Sequence, residues 1–289
     1  MVSSIFRKIS LPILLMIWGI GNLEAQESSL LWKVSGNGLE KESYLFGTIH
    51  LICKEDFLMD ERILESFDKS EKLVMELDMS DPQLQSKMQL ISMNPGMKNI
   101  QSELDPADVE ILDGFLTQNY GAGLAQLGVL KPFVLSTMAL MKTIPCEEVE
   151  SYEGFFTDKS VESKKPIQGL ETPEFQVSIF DQIPFEIQIS ELMKMLREDS
   201  GEADFRQMTD TYLSEDIEGL YDVMNSDGMV ADYRELVLDN RNKAWISILE
   251  EEMNSNVLFV AVGGGHLGGE NGLISLLRKA GYQVEPINK

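Results

Sequence analysis

Residues 256–262 read NVLFVAV, and the next four are Gly263-Gly264-Gly265-His266. Six apolar residues in a row, rich in Val and bounded by a turn signal, predict a buried strand. The glycines let the backbone bend sharply where that strand stops. His266 then projects from the carboxyl edge of whatever sheet the strand joins. The pattern occurs twice. Gly47-Thr48-Ile49-His50 follows the apolar run SYLF, and Leu comes next in both copies. The two copies hold both histidines of the 289-residue chain.

Working outward, residues 30–35 and 43–49 are strands separated by Gly36-Asn37-Gly38, a hairpin signal. Residues 60–70 space Ile63, Leu64 and Phe67 as a helix does. Residues 71–79 (EKLVMELDM) are a short strand. Asp81-Pro82 starts a helix with Leu84, Met88 and Ile91 on one face. Asp105-Pro106 starts another, which runs to about Tyr120. Residues 121–143 form two short buried helices broken at Lys131-Pro132. Residues 152–163 are helical, 166–171 (PIQGLE) a strand, and Thr172-Pro173 a helix start. Residues 184–254 are helical and acidic, with breaks near Ser200-Gly201, Ser214 and 226–228. A helix over 272–280 and a strand over 282–287 close the chain. The fold class is therefore α/β: a mixed core sheet flanked by helices, with a largely helical insertion at about 184–254 before the last core strands.

Composition narrows the function classes. Lys plus Arg number 24 against 48 Asp plus Glu, a formal charge of −24. That argues against nucleic acid, whose binding requires a basic patch to displace counterions, and against an anionic membrane surface. Residues 1–25 read as a cleavable signal peptide: Arg7 and Lys8 are the basic region, 9–20 the apolar region, and Ala25 the small residue at the cut. An uncleaved anchor is the alternative, disfavoured because the apolar stretch is about 12 residues where a span needs roughly 20. The mature domain spans 26–289, with no later run long enough to cross a bilayer, and the protein is expected to be exported, periplasmic or secreted. Export permits a Cys53–Cys146 disulfide; two free thiols are the alternative. Oligomeric state is not readable.

Two other strand ends carry acids. Glu76 stands near the end of EKLVMEL, where a charge is costly without a partner. Glu171 ends PIQGLE. Four strands thus present His50, Glu76, Glu171 and His266 at one edge, where open α/β sheets bind ligands. Two His plus a carboxylate form a set that holds divalent transition metals; the same residues can run acid–base chemistry without one. The glycine run 263–269 could instead cradle a phosphate at a helix N-terminus, although it lacks the Lys-Ser/Thr ending of a P-loop. Arg241, on the helix before the last core strand, could clamp a carboxylate or stabilise an oxyanion, or simply form a salt bridge.

These residues resemble the TraB/GumN family, related to the Tiki proteins. The landmarks are YLFGTIHL, LVMELDMSDP, KKPIQGLETPEFQ, the Arg-Asn-x-x-Trp of 241–245, and VAVGGGHLGGENGLISLLRKAGYQVEPI. The resemblance covers nearly all of the mature chain. It implies an α/β sheet with a helical insertion and, for Tiki-like members, metal-dependent proteolysis with Mn²⁺ or Co²⁺; Zn²⁺ is a further candidate. By position His50, His266 and Glu76 would hold the metal. Glu76 or Glu171 would activate water, and Arg241 would stabilise the oxyanion. Where many bacterial members have Gly-Val-Asp before the middle helix, this chain has Ser151-Tyr152-Glu153. The expectation is an exported metal-dependent hydrolase, a peptidase, taking a peptide or small-molecule substrate. The alternatives are a metal-free His/Glu hydrolase of the erythromycin-esterase type, and a non-enzymatic binder of a peptide, metal or haem-like ligand.

Overall fold

The structure, a computed structural model, describes residues 28–198, 201–226 and 228–289. The leader read at 1–25 lies outside the described residues. Eight strands are present among them: β1 (Leu31–Gly36), β2 (Ser43–Thr48), β3 (Ile52–Cys53), β4 (Lys72–Met75), β5 (Val149–Glu150), β6 (Ile167–Gly169), β7 (Leu258–Gly263) and β8 (Tyr282–Pro286). Six form one sheet in the order β6-β4-β7-β2-β1-β8. β6, β4, β7 and β2 are mutually parallel, whereas β1 runs antiparallel to both β2 and β8. All four parallel strands therefore end on the same edge. β3 and β5 pair separately, a small ladder with no signal in the sequence.

The helices are α1 (Glu61–Lys69), α2 (Leu84–Ile91), α3 (Pro106–Tyr120), α4 (Leu124–Leu127), α5 (Pro132–Leu140), α6 (Tyr152–Ser163), α7 (Pro173–Phe180), α8 (Phe185–Glu198), α9 (Gly201–Leu213), α10 (Ile217–Met224), α11 (Gly228–Asp232), α12 (Asn240–Met253) and α13 (Leu273–Lys279). A π-helical turn, Glu235–Asp239, leads into α12. Local chemistry sets their starts. The Asp60 carboxylate accepts from the amides of Arg62 and Ile63, Ser151 Oγ accepts from Gly154 N, and Thr172 Oγ1 accepts from Phe175 N, each removing a donor that helix geometry leaves unpaired.

Residues from the sheet, α1, α6, α9, α10, α12 and α13 share one large core. Its centre is aromatic: Phe156 lies 4.8 Å from Phe259 and 5.2 Å from Phe67, ring centroid to centroid, and Phe46 packs edge-on against Tyr152. Each such ring stabilises the fold by roughly 1.5–3 kcal/mol on burial. A second, smaller core joins Ile100, Leu112, Leu116, Leu124 and Leu135 to Ile189, Leu192 and Met193. The helices of 184–254 are thus divided. α8 belongs to the second core with α3–α5, while Tyr212, Ile217, Leu220 and Trp245 return to the first.

Two ties close the fold. Cys53 and Cys146 are disulfide-bonded, with Cα atoms 5.8 Å apart. The bridge flanks the β3–β5 ladder, where Cys53 pairs with Val149. Glu215, buried behind α10, forms the second. Its carboxylate accepts from Arg62 Nη2 (2.8 Å), Ser29 Oγ (3.2 Å) and Leu30 N (3.2 Å), and Lys289 Nζ lies 3.0 Å away. Ser28 Oγ donates to the Glu215 carbonyl. No helix among the described residues is long and apolar enough to cross a membrane.

Candidate functional site

The edge where β2, β7, β4 and β6 end carries His50, His266, Glu76 and Glu171. Parallel registers align them: Thr48 lies beside Gly263, Met75 beside Ala261, and Met75 also beside Gly169. Arg241 joins from α12. Five residues named from the sequence thus converge on one edge.

Arg241 sits at the centre, with a side chain 9% exposed. Its Nε donates to Glu171 Oε1 (2.9 Å) and its Nη2 to Glu171 Oε2 (2.8 Å), a two-pronged clamp. Nη2 also donates to Glu76 Oε2 (2.7 Å). Nη1 donates to the Val237 carbonyl (2.9 Å) and lies 3.1 Å from His266 Nε2. All five guanidinium hydrogens therefore have acceptors within the protein. Trp245, one turn further along α12, donates its indole N–H to Glu171 Oε1 (2.9 Å) and packs against His266 at a tilt of 39°, with ring centroids 4.5 Å apart.

Glu76 also accepts from Gly263 N (3.0 Å) and Gln176 Nε2 (3.1 Å). Burial by itself would raise its pKa. The charge of His266, protonated in the range where Glu76 titrates, together with Arg241, His50 and the Gly263 amide, outweighs burial and holds the carboxyl down at about 2. For His266, burial dominates in the other direction: with help from Arg241 and His50, and against Glu76, it lowers the imidazole to about 3. His266 is neutral at pH 7.

His50 differs. Its side chain is 72% exposed, and its Nδ1 lies 3.2 Å from Glu153 Oε1. That hydrogen bond, opposed by desolvation and reinforced by the charges of Glu153 and Glu76, raises the imidazole to about 9. Glu153 is held in turn by Thr48 Oγ1 (2.7 Å) and Ser151 Oγ (3.1 Å). Nothing in the sequence pairs Glu153 with His50; its only mark is the acid of Ser151-Tyr152-Glu153, where the family resemblance leads one to expect Asp. Asn242 and Gln176 were also missed, since neither stands at a strand end.

The glycine run does not form a phosphate cradle. α10 lies directly on it. A Cβ at Gly265 would meet Met224 Sδ, and one at Gly268 would stand 2.8 Å from the Ile217 carbonyl. The Gly269 amide already faces the Glu218 carboxylate at 3.2 Å. Gly47 belongs to the same close approach, since a Cβ there would lie 3.1 Å from Gly264 Cα. These glycines let α10 and two strand ends pack tightly.

A model of the TraB/PrgY/gumN family matches residues 30–286. The chain belongs to that family. No curated protein and no solved structure matches it. The ion expected from the Tiki resemblance can be tested against the donor atoms of this TraB/PrgY/gumN member. No group of three or more His, Cys, Asp or Glu among the described residues is arranged to hold a metal. Both His266 nitrogens and both Glu76 oxygens are engaged by protein groups, and Arg241 occupies the ground between the two carboxylates. The His50–His266–Glu76 set as it stands does not fit a resident ion.

Proposed function

We propose that this chain is an exported hydrolase acting on peptides, with His50 and Glu76 flanking the reacting carbonyl and with the Arg241 guanidinium as the fixed cation of the site. One observation carries the reading. An exposed, protonated imidazole is backed by a carboxylate and stands in the field of a second carboxylate that a buried arginine keeps ionised.

His50 Nδ1–H points at Glu153, which leaves Nε2–H for a substrate. That proton can polarise a carbonyl oxygen and then pass to the leaving amine. Glu76, at about 2, is too weak a base to strip water outright. It accepts one hydrogen of a water and so aims the oxygen lone pair at the carbonyl carbon. As the C–O bond forms, that oxygen becomes strongly acidic and its proton passes to Glu76; the C–N bond then breaks with the His50 proton on the amine, Glu76 releases its proton to solvent, and the exposed His50 takes one back. Arg241 has no hydrogen left for an oxyanion. Its role is to keep Glu76 charged and in place. The leader-like 1–25 segment and the Cys53–Cys146 bridge support export, because disulfides persist in oxidising compartments. The family resemblance supports peptides as substrates.

The test is mass spectrometry of a complex peptide mixture incubated with the mature chain, before and after exhaustive chelation. Cleavage should survive chelation and fall by about 10²-fold or more in both His50→Ala and Glu76→Gln. Turnover that appears only on adding Mn²⁺, Co²⁺ or Zn²⁺ would hand the central role to an ion, and peptide binding without product would remove the enzyme reading.

A further inference from the structure

We infer that Asn242 is a positioning residue that fixes the tautomer of His266 and, through it, the orientation of the Arg241 guanidinium. The inference rests on the hydrolase reading above only for its consequence in turnover; the geometry stands apart from it.

Asn242 is buried, 1% exposed, in the first turn of α12. Its Nδ2 donates to the Asn271 carbonyl at 2.9 Å. That contact decides which way the amide faces, because a flipped amide would set Oδ1 against a second acceptor. Oδ1 therefore faces His266 Nδ1, 2.6 Å away. An amide oxygen only accepts, so Nδ1 carries the hydrogen. A neutral imidazole with hydrogen on Nδ1 has its lone pair on Nε2, and the Arg241 Nη1–H points there at 3.1 Å. The opposite tautomer would face N–H to N–H at Arg241 and lone pair to lone pair at Asn242. The Trp245 indole packs against the ring at a 39° tilt, with centroids 4.5 Å apart, and limits its rotation.

The line continues beyond Asn242. Asn271 Nδ2 donates to Asp239 Oδ2 at 3.1 Å, at the end of the π-helical turn. Asn271 belongs to the Gly-Gly-Glu-Asn stretch just after His266, and Asn242 belongs to Arg-Asn-x-x-Trp. Two sequence landmarks about 30 residues apart are thus joined by one amide whose polarity sets the ring. Without an acceptor at Nδ1, the imidazole can take its other tautomer, and the guanidinium then loses one of the acceptors that hold it square to Glu76.

The test uses the ¹⁵N-labelled mature chain near neutral pH. Only two imidazoles exist, so a long-range ¹H–¹⁵N spectrum gives two patterns, assigned by the one missing in His50→Gln. The expected wild-type pattern for His266 is a protonated Nδ1 and a bare Nε2, with separate, slowly exchanging Nη resonances for Arg241. Asn242→Leu should lose both signatures. Asn242→Asp, in which the oxygen replacing Nδ2 must carry a proton to meet the Asn271 carbonyl, keeps an acceptor at Nδ1 and should restore the tautomer. Turnover should follow, with kcat down about 10²-fold in Asn242→Leu at unchanged KM and recovered in Asn242→Asp. A wild-type His266 protonated on Nε2, or an Asn242→Leu variant that keeps the wild-type pattern, overturns the inference. If Asn242→Leu does not fold, the wild-type and Asn242→Asp spectra decide. The expected tautomer in a protein that cleaves no peptide would remove the hydrolase reading alone.

Discussion

Arg241 uses every hydrogen of its guanidinium on groups of its own chain, and two of those groups are carboxylates it alone neutralises directly. Arg241→Leu should therefore destabilise the fold by about 3–5 kcal/mol, seen as a lower urea midpoint, because Glu76 and Glu171 are left buried and unpaired. His50 and Glu153 make a separate prediction. In Glu153→Gln the imidazole loses its main support, so its pKa should fall from about 9 toward the ordinary histidine range, as read by NMR titration. In the wild type, deprotonation of His50 should produce an alkaline limb in the rate profile near pH 9, and Glu153→Gln should move that limb to lower pH. The four strand-edge residues were legible because each ends an apolar run in a chain with two histidines. Glu153 was not, because it meets His50 across 103 positions, and nothing in Ser-Tyr-Glu marks which face of α6 it occupies.

α10 is the element whose contacts the sequence does not show. As part of a helical stretch it reads as insertion, and the glycines beneath it read as a possible anion cradle. Once α10 is laid on the loop, the glycines become a packing requirement. Gly268→Ala should press against the Ile217 carbonyl, a backbone atom that cannot move aside, at a cost of about 1–3 kcal/mol. Gly265→Ala should cost less, since the obstacle is the flexible Met224 side chain. Thermal melts of the two variants measure the difference. The sheet strands are legible because buried runs of Val, Leu and Phe leave few other choices, but β4 stops at Met75 and β6 at Gly169, short of the expected 79 and 171, so Glu76 and Glu171 stand just beyond their strands. The β3–β5 ladder is not legible, since two residues per strand carry no period.

At the scale of the whole molecule, the perturbed groups give acid sensitivity a definite sign. The unfolded chain takes up a proton at His266 near its ordinary value, but the folded chain resists it down to about 3. Glu76 behaves alike, resisting to about 2. Both contributions are intact above pH 6.5 and fade as pH falls through these ranges, because the unfolded state binds more protons there. Urea midpoints should accordingly drop from pH 7 to pH 4. Reduction of Cys53–Cys146 should lower the midpoint further, by the equivalent of about 2–5 kcal/mol, and should loosen the ladder that brings the Glu153 segment alongside His50. The sheet and its edge were visible in the sequence, but the second core was not, because its helices come from stretches on both sides of α6 and α7 and neither half shows its partner. One further consequence lies in the buried Glu215. Ser28 donates to its main-chain carbonyl and Lys289 reaches its carboxylate, so Ser28 and Lys289 meet at one residue. A short peptide joining Lys289 to Ser28, with a new opening cut at the exposed Asn37-Gly38 turn, should give a circularly permuted chain that keeps the same strand-edge site.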